Sequence, residues 1–129
     1  MARKVSYLTT ADFACLNDAC ITIRDAFHGE HVSGIYLVGS CGERADFRDV
    51  DVRVILGDDA FDRFFAGGVL FWGLFCLGVT EHLRKITGLP IDFQVQRMTE
   101  ANEKYGGRPR NALGHRHRPF AGGGDATPF

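Results

Sequence analysis

The sequence has 129 residues, 45% of them hydrophobic, which suits one domain with a core of helices and a small sheet. The formal net charge is -1, from 15 basic and 16 acidic residues, so the overall charge predicts neither nucleic-acid binding nor attraction to a membrane. The four cysteines form no Cys-x-x-Cys pair and the start, MARKVSYLTT, lacks a signal-peptide pattern, which indicates reduced thiols in a cytoplasmic protein.

A helix followed by a strand is predicted at the start of the chain. Thr9 and Asp12 have the spacing of a helix capping box, and apolar residues at helical spacing follow them up to Gly29. The run Val32–Val38 is rich in β-branched residues and ends at Gly39, which predicts a buried strand.

The next strand carries carboxylates on one face only. After a polar loop or helical turn, the residues of Val50–Leu56 alternate, so that valines share one face while Asp49, Asp51 and Arg53 share the other. This alternation also fits an edge strand with one solvated face, in which the two aspartates have no function.

An apolar, glycine-interrupted run lies between residues 64 and 79. It is shorter than the roughly 20 residues of a membrane-spanning helix, so we expect a buried helix or a subunit interface and no membrane span. The helical pattern ends at Gly88, and residues 91–96 then alternate as a third strand, with Asp92 on its polar face.

The chain changes character after Arg97, where basic residues outnumber acidic ones. Residues 98–104 fit a short helix, and little apolar periodicity follows. We therefore predict a folded domain over residues 1–105 and a basic, Gly-rich, flexible tail over residues 106–129. His115 and His117 of this tail form a basic patch with neighbouring arginines, and the pattern favours a solubilising tail over a metal site.

Three carboxylates fall on two strands with matching alternation: Asp49, Asp51 and Asp92. If the two strands are neighbours, these side chains converge on one surface, and at least one of their pKa values should be raised by the like charges. Oxygen ligands of this kind suit Mg²⁺ or Mn²⁺ better than zinc. The three aspartates are therefore the candidate metal ligands and catalytic residues.

A candidate phosphate-binding segment lies just before them. Gly39 and Ser40 stand where the first strand ends, so the backbone can approach a ligand closely and N–H groups of the following turn can hold phosphate oxygens. Arg44 and Arg48 in the same loop are either solvated charges or further phosphate ligands. Cys41 is either a reactive thiol near a helix start or a small buried residue.

The stretch IYLVGSCGERADFRDVDVRVIL, followed by PIDFQVQ, resembles the signature of the polymerase-β-like nucleotidyltransferases, especially their small stand-alone members. The resemblance implies that Asp49 and Asp51 bind two metal ions and that Asp92 completes one metal site and acts as a base. It implies that Gly39 and Ser40 hold the triphosphate of ATP or another NTP. Stand-alone relatives often work with a small helical toxin protein.

These observations predict an α/β fold, a small mixed β-sheet with helices packed on one face. The expected activity is a metal-dependent nucleotidyl transfer from an NTP to an unidentified acceptor, which is a partner protein or a small alcohol such as an antibiotic. The alternative is a non-catalytic nucleotide-binding or antitoxin-like module. Because the apolar residues between Phe61 and Val79 would cover nearly every side of a helix, we also expect a homo-oligomer or a small helical partner protein. The alternative is that the break at Gly67 and Gly68 folds this segment back on itself and buries it within one chain.

Overall fold

The structure is a computed structural model that describes residues 7–27, 32–42, 44–105 and 110–115. It contains four helices and four strands in those ranges. In chain order the elements are α1 (Thr10–Ala26), β1 (Val32–Val38), a 3-10 turn (Gly39–Gly42), β2 (Val50–Leu56), α2 (Asp58–Phe64), α3 (Val69–Thr87), β3 (Ile91–Arg97), α4 (Met98–Tyr105) and β4 (Asn111–Leu113).

The four strands form one mixed sheet in the order β3-β2-β1-β4. The β1 strand is antiparallel to both β2 and β4, whereas β2 and β3 are parallel. The crossover between the parallel strands consists of α2 and α3. Because parallel strands start at the same edge of a sheet, the first residues of β2 and β3 lie side by side. The predicted α/β fold class, a small mixed sheet with helices packed against it, is confirmed, although the helices are not limited to one face of the sheet.

The main core lies between one face of this sheet and the helices α1, α2 and α3. The alternate residues of β2 that the sequence assigned to the apolar face are fully buried, as are those of β3 and β1. They pack against Leu16 and Cys20 of α1, Ala60 of α2 and Leu83 of α3. The alternation in the sequence therefore identifies the apolar faces of β2 and β3 correctly, and Asp51 and Asp92 lie on the opposite face.

The first helix begins and the third helix ends as the sequence predicts. The side chain of Thr9 accepts a hydrogen bond from the N–H of Asp12 at 3.0 Å, which caps α1. Gly88 follows α3 in the left-handed conformation, with φ at 73°, and its N–H donates to the carbonyl of Arg84. These caps fix the ends of the two longest helices.

The outer edge of β3 is covered by side chains of α3. The indole N–H of Trp72 donates to the carbonyl of Val95 at 2.9 Å, and Nε of Arg84 donates to the carbonyl of Ile91 at 2.9 Å. Between them, Oγ1 of Thr80 donates to the carbonyl of Phe93 and accepts from its N–H. These three side chains lie on one face of α3 and form hydrogen bonds with backbone groups that an edge strand would otherwise leave unpaired.

Replacement of Thr80 by Val is expected to destabilise the fold by about 2 kcal/mol, because both backbone groups of Phe93 lose their partner in a buried position. Urea denaturation followed by circular dichroism measures this change. Thr80→Ser keeps the hydroxyl and serves as the matched control, with a smaller loss. Equal stability of Thr80→Val and the wild-type protein would contradict the role given to this hydroxyl.

The fourth helix lies beside the other face of the sheet. It contacts β2 and β3, its Ala101 is fully buried, and the positive charge of Lys104 acts on Asp51. Arg110 donates to the carbonyl of Ala101 and lies over the ring of Tyr36, a residue of this face. Helix α4 therefore covers part of the face that carries the aspartates.

Part of the predicted tail belongs to the sheet. Residues 111–113, placed by the sequence in a flexible segment, form β4, which pairs with Ile35, Tyr36 and Leu37 of β1. Asn17 of α1 holds the end of β4, since its side chain accepts from the N–H of Gly114 and donates to the carbonyl of His115. The remainder of the predicted tail, residues 106–109 and 116–129, lies outside the described residues.

The aromatic run folds back on itself at residues 65–68. Helices α2 and α3 meet there at 92°, and the rings of Phe64, Phe65 and Phe75 pack against one another, with Phe64 and Phe75 also against Phe27 of α1. The aromatic side chains in this part of the run are therefore packed within one chain. In the described ranges no single helix is long and apolar enough to cross a membrane, although the bent α2–α3 pair passes that test by length and composition.

Candidate functional site

Asp51 and Asp92 lie next to each other at the start of the two parallel strands. The register pairs their Cα positions directly, so both side chains project from the same face of the sheet. Their side chains are 20% and 44% exposed, respectively. The structure therefore brings together these two of the predicted carboxylates, from segments of the chain that are far apart in sequence.

Gly39 lies against Asp51 at the same end of the sheet. Val38, the last residue of β1, is the register partner of Asp51, and Gly39 then turns with φ at 77°, a conformation that favours glycine. A Cβ added to Gly39 would overlap Oδ2 of Asp51. The glycine predicted from the strand end therefore makes room for the aspartate predicted from the next strand.

The other predicted site residues lie in the segment between β1 and β2. The backbone of Ser40 is in the 3-10 turn, and nothing is described of its side chain. Arg48 and Asp49 are exposed just before β2. Arg44 is exposed too, and its Nε donates to Asp46 at 3.0 Å. The assignment of Arg44 and Arg48 as phosphate ligands stays a prediction.

Asp49 is close enough to Asp51 to influence its ionisation, but the described residues contain no group of three or more His, Cys, Asp and Glu side chains arranged to hold a metal ion. Asp49 precedes the first residue of β2, so the strand does not fix its side chain as it fixes Asp51. A metal ion shared by Asp49, Asp51 and Asp92 therefore stays a prediction.

Arg53 is the residue that the sequence analysis placed on this face without assigning it to the site. It is only 4% exposed. Its Nη2 lies 3.4 Å from Oδ2 of Asp92 and 3.8 Å from Oδ1 of Asp51. Its Nη1 donates to the carbonyl oxygens of Asp92, at 2.6 Å, and Val52, at 3.1 Å. One guanidinium group thus contacts both carboxylates and the backbone that carries one of them.

The electrostatics of the site are dominated by Asp51. Burial raises the pKa of Asp51 above its usual range, and the charges of Asp92 and Asp49 raise it further, whereas Arg53 and Lys104 lower it. The expected increase of one carboxylate pKa is therefore found, although burial contributes more than the like charges. A cation placed beside Asp51 would relieve both unfavourable effects.

Arg53 could have been assigned to the site from the sequence, whereas Lys104 could not. Arg53 has the same strand parity as Asp49 and Asp51, and this parity was the signal that could have assigned it to the site. Lys104 belongs to a helix whose docking on the sheet follows from no pattern in the sequence. Its position near Asp51 comes only from the tertiary structure.

Cys41 is buried beside the site. Burial raises the pKa of its thiol, while a hydrogen bond from the backbone of Tyr7 opposes this change. A thiol with a raised pKa is a poor nucleophile at neutral pH. Of the two interpretations of Cys41, the structure favours a small buried residue over a reactive thiol.

Comparison of the chain with protein-family models, with curated proteins and with solved structures gives no significant match.

Proposed function

We propose that this chain is a metal-dependent nucleotidyltransferase that transfers a nucleoside monophosphate from ATP or another NTP to an acceptor. The observation that carries the proposal is the meeting of Gly39, Asp51 and Asp92 at one end of the sheet. A turn that follows a buried strand and a pair of carboxylates beside it are the two parts needed to hold a triphosphate and its cation.

The side chains at this place fit Mg²⁺ or Mn²⁺. Asp51 and Asp92 offer hard carboxylate oxygens from neighbouring strands, and Asp49 is exposed just before β2. Burial raises the pKa of Asp51 even though Arg53 lies beside it, so a further cation would stabilise its charged form. A bound divalent cation would supply neutralisation of the phosphate charge and orientation of the reacting oxygens.

The residues of the chain have distinct tasks in the proposed reaction. The backbone of the turn at Gly39 and Ser40 holds the terminal phosphates, with Arg44 and Arg48 as further cations in the same loop. An acceptor oxygen attacks the α-phosphorus, the bond to the β-phosphate oxygen breaks and pyrophosphate leaves. Asp92, the more exposed carboxylate of the pair, takes the proton of the acceptor.

The second candidate function is a non-catalytic nucleotide-binding or antitoxin-like module that acts by binding a partner. It is favoured by the apolar side of α3 that the described residues leave uncovered, where Leu70 is 86% exposed. It is also favoured by the ion pairs of Arg53, because a cation of the protein already compensates the two carboxylates.

Incubation with α-labelled ATP and Mg²⁺ separates these functions. A transferase is expected to release pyrophosphate and to place the label on a covalent product in equal amounts, and EDTA should prevent both. Candidate acceptors are the protein itself, a co-purifying partner and small alcohols. Stabilisation by ATP and Mg²⁺ without label transfer would favour a nucleotide-binding module. No effect of any NTP would contradict both the transferase and the nucleotide-binding module and would leave only a module that binds a partner.

A further inference from the structure

Arg53 is held by ion pairs and hydrogen bonds to the residues of the site and does not only fill space beneath them. Its guanidinium is inside the protein, where an unpaired charge is costly, so its ion pairs with Asp51 and Asp92 are required for its burial. Its Nη1 is also fixed by two backbone carbonyls, one of which belongs to Asp92. The arginine therefore holds the backbone and the side chain of Asp92 at once.

The same contacts place a permanent positive charge where a metal ion would bind. A divalent cation coordinated by Asp51 and Asp92 would lie within a few ångströms of Nη2, and like charges at that distance repel strongly in a partly buried site. Nε of Arg53 is buried and has no hydrogen-bond partner among the described residues. The guanidinium is thus held in place by the two carboxylates on Nη2 and by the two backbone carbonyls on Nη1.

We propose that Arg53 is a resident counter-ion that positions Asp92 beside Asp51 and keeps the affinity of this pair for free divalent cations low. The metal ion then enters together with the triphosphate, whose negative charge offsets the repulsion by Arg53. This order of binding rests on the proposed function. The effect of Arg53 on metal affinity does not, since it follows from the charges of the protein alone.

The test uses Mn²⁺ alone as the probe, with its binding followed by electron paramagnetic resonance. Arg53→Gln removes the charge and keeps a donor for the backbone carbonyls, so it should bind Mn²⁺ about tenfold more tightly than the wild-type protein. Arg53→Lys keeps the charge and should bind as the wild type does. Asp51→Asn in the Arg53→Gln background should abolish the gain, which places the ion at this pair.

Arg97→Gln is the matched control, because it makes the same change of net charge at the other end of β3, where Arg97 pairs with Asp62. Its Mn²⁺ affinity should equal that of the wild type. An unchanged or weaker affinity of Arg53→Gln would overturn the proposal, since a purely structural arginine would give that result.

Thermal melting in EDTA and in Mn²⁺ tests the proposal even if Arg53→Gln folds poorly. If Arg53→Gln is unstable in EDTA, Mn²⁺ should restore its folding, because the ion takes over the role of the counter-ion. A variant that stays unfolded in Mn²⁺ would overturn the proposal. A gain of Mn²⁺ affinity in a protein that responds to no NTP would contradict the proposed function and leave the role of Arg53 supported. If Arg53→Gln gains no Mn²⁺ affinity while ATP and Mg²⁺ stabilise the protein, the role of Arg53 would be contradicted and the proposed function would remain supported.

Discussion

Replacement of Asp51 by Asn is expected to abolish the stabilisation of the protein by ATP and Mg²⁺. The amide keeps the shape of the carboxylate but removes the charge that would hold the cation. A wild-type protein at a ligand concentration of a hundred times the dissociation constant gains about 2.7 kcal/mol of stability, and the variant should lose this gain entirely. Any transferase activity should fall by at least about a hundredfold, because the cation stabilises charge in the transition state.

The variant should stay folded without ligand. Burial and the neighbouring carboxylates raise the pKa of Asp51, so the charged form is unfavourable in the folded state and the neutral amide relieves this cost. Thermal melting at neutral pH should therefore give an unliganded variant of about the same stability as the wild type, because the relieved burial of the charge offsets the lost ion pair and Asp92 still pairs with Arg53. A large loss of stability in the absence of ligand would mean that Asp51 supports the fold and not a ligand site.

Asp46→Asn is the matched control for this experiment. Asp46 is an exposed carboxylate of the preceding loop, paired with Arg44. Its replacement makes the same chemical change close to the site without touching the strand pair. We expect the response to ATP and Mg²⁺ to persist in this variant. Equal responses of the wild type and Asp51→Asn would remove the site from consideration.

The alternation of residues along the strands was sufficient to locate the paired carboxylates. Side chains of a strand alternate with a period of two, so the buried valines of β2 determine the face of Asp51, and the apolar residues of β3 do the same for Asp92. The crossover through α2 and α3 then makes the two strands parallel neighbours. The sequence could indicate one shared face, whereas the direct register of the two aspartates depended on the tertiary structure.

The role of Arg53 could not be obtained in this way. A surface arginine and a buried one look alike in an alternating strand, and the difference comes from the neighbours that cover it. Here the parallel pairing places Asp92 within reach of the guanidinium. The charge balance at the pair therefore follows from the assembled sheet and not from the Asp-x-Asp spacing itself.

The last strand was missed for a different reason. Residues 111–113 lie in a basic, Gly-rich stretch and form too short a segment to show a period. Their place beside β1 depends on Asn17, which anchors the end of β4 to α1 through three hydrogen bonds. A polar contact between residues about a hundred positions apart leaves no local pattern in the sequence.

The apolar side of α3 gives the second large expected effect, on the assembly of the protein. The apolar segment between Phe61 and Val79 was expected to need a second surface, unless it folded back on itself at Gly67 and Gly68. The phenylalanines of its first half pack within the chain, and Trp72 and Phe75 are partly buried there. The side chains that remain exposed on α3 near its start are Val69, Leu70, Phe71, Leu74 and Leu77. We call these five residues the α3 patch.

We expect the α3 patch to be covered in solution by a second copy of the chain or by a partner protein, since monomers rarely leave contiguous apolar surface of this kind exposed. Leu70, Leu74 and Leu77 are spaced by four and three residues, so they form one stripe along the helix. In a symmetric dimer each of these leucines would be buried in both subunits, so one substitution changes two side chains of the interface. Leu74→Glu should then cost at least about 3 kcal/mol, which weakens the dimer by more than about a hundredfold.

Multi-angle light scattering of the purified protein at micromolar concentration measures this effect. The wild type should have a mass above the 14.3 kDa of one chain, and Leu74→Glu should have the mass of one chain. Lys85→Gln makes the same change of net charge at the polar end of the same helix and should behave as the wild type. If a partner protein covers the patch, the wild type is a monomer when purified alone, and Leu74→Glu should prevent its co-purification with that partner. The prediction would be wrong if the wild type is a monomer and Leu74→Glu binds the same co-purified proteins equally well. The α3 patch would then be exposed to solvent in the functional protein.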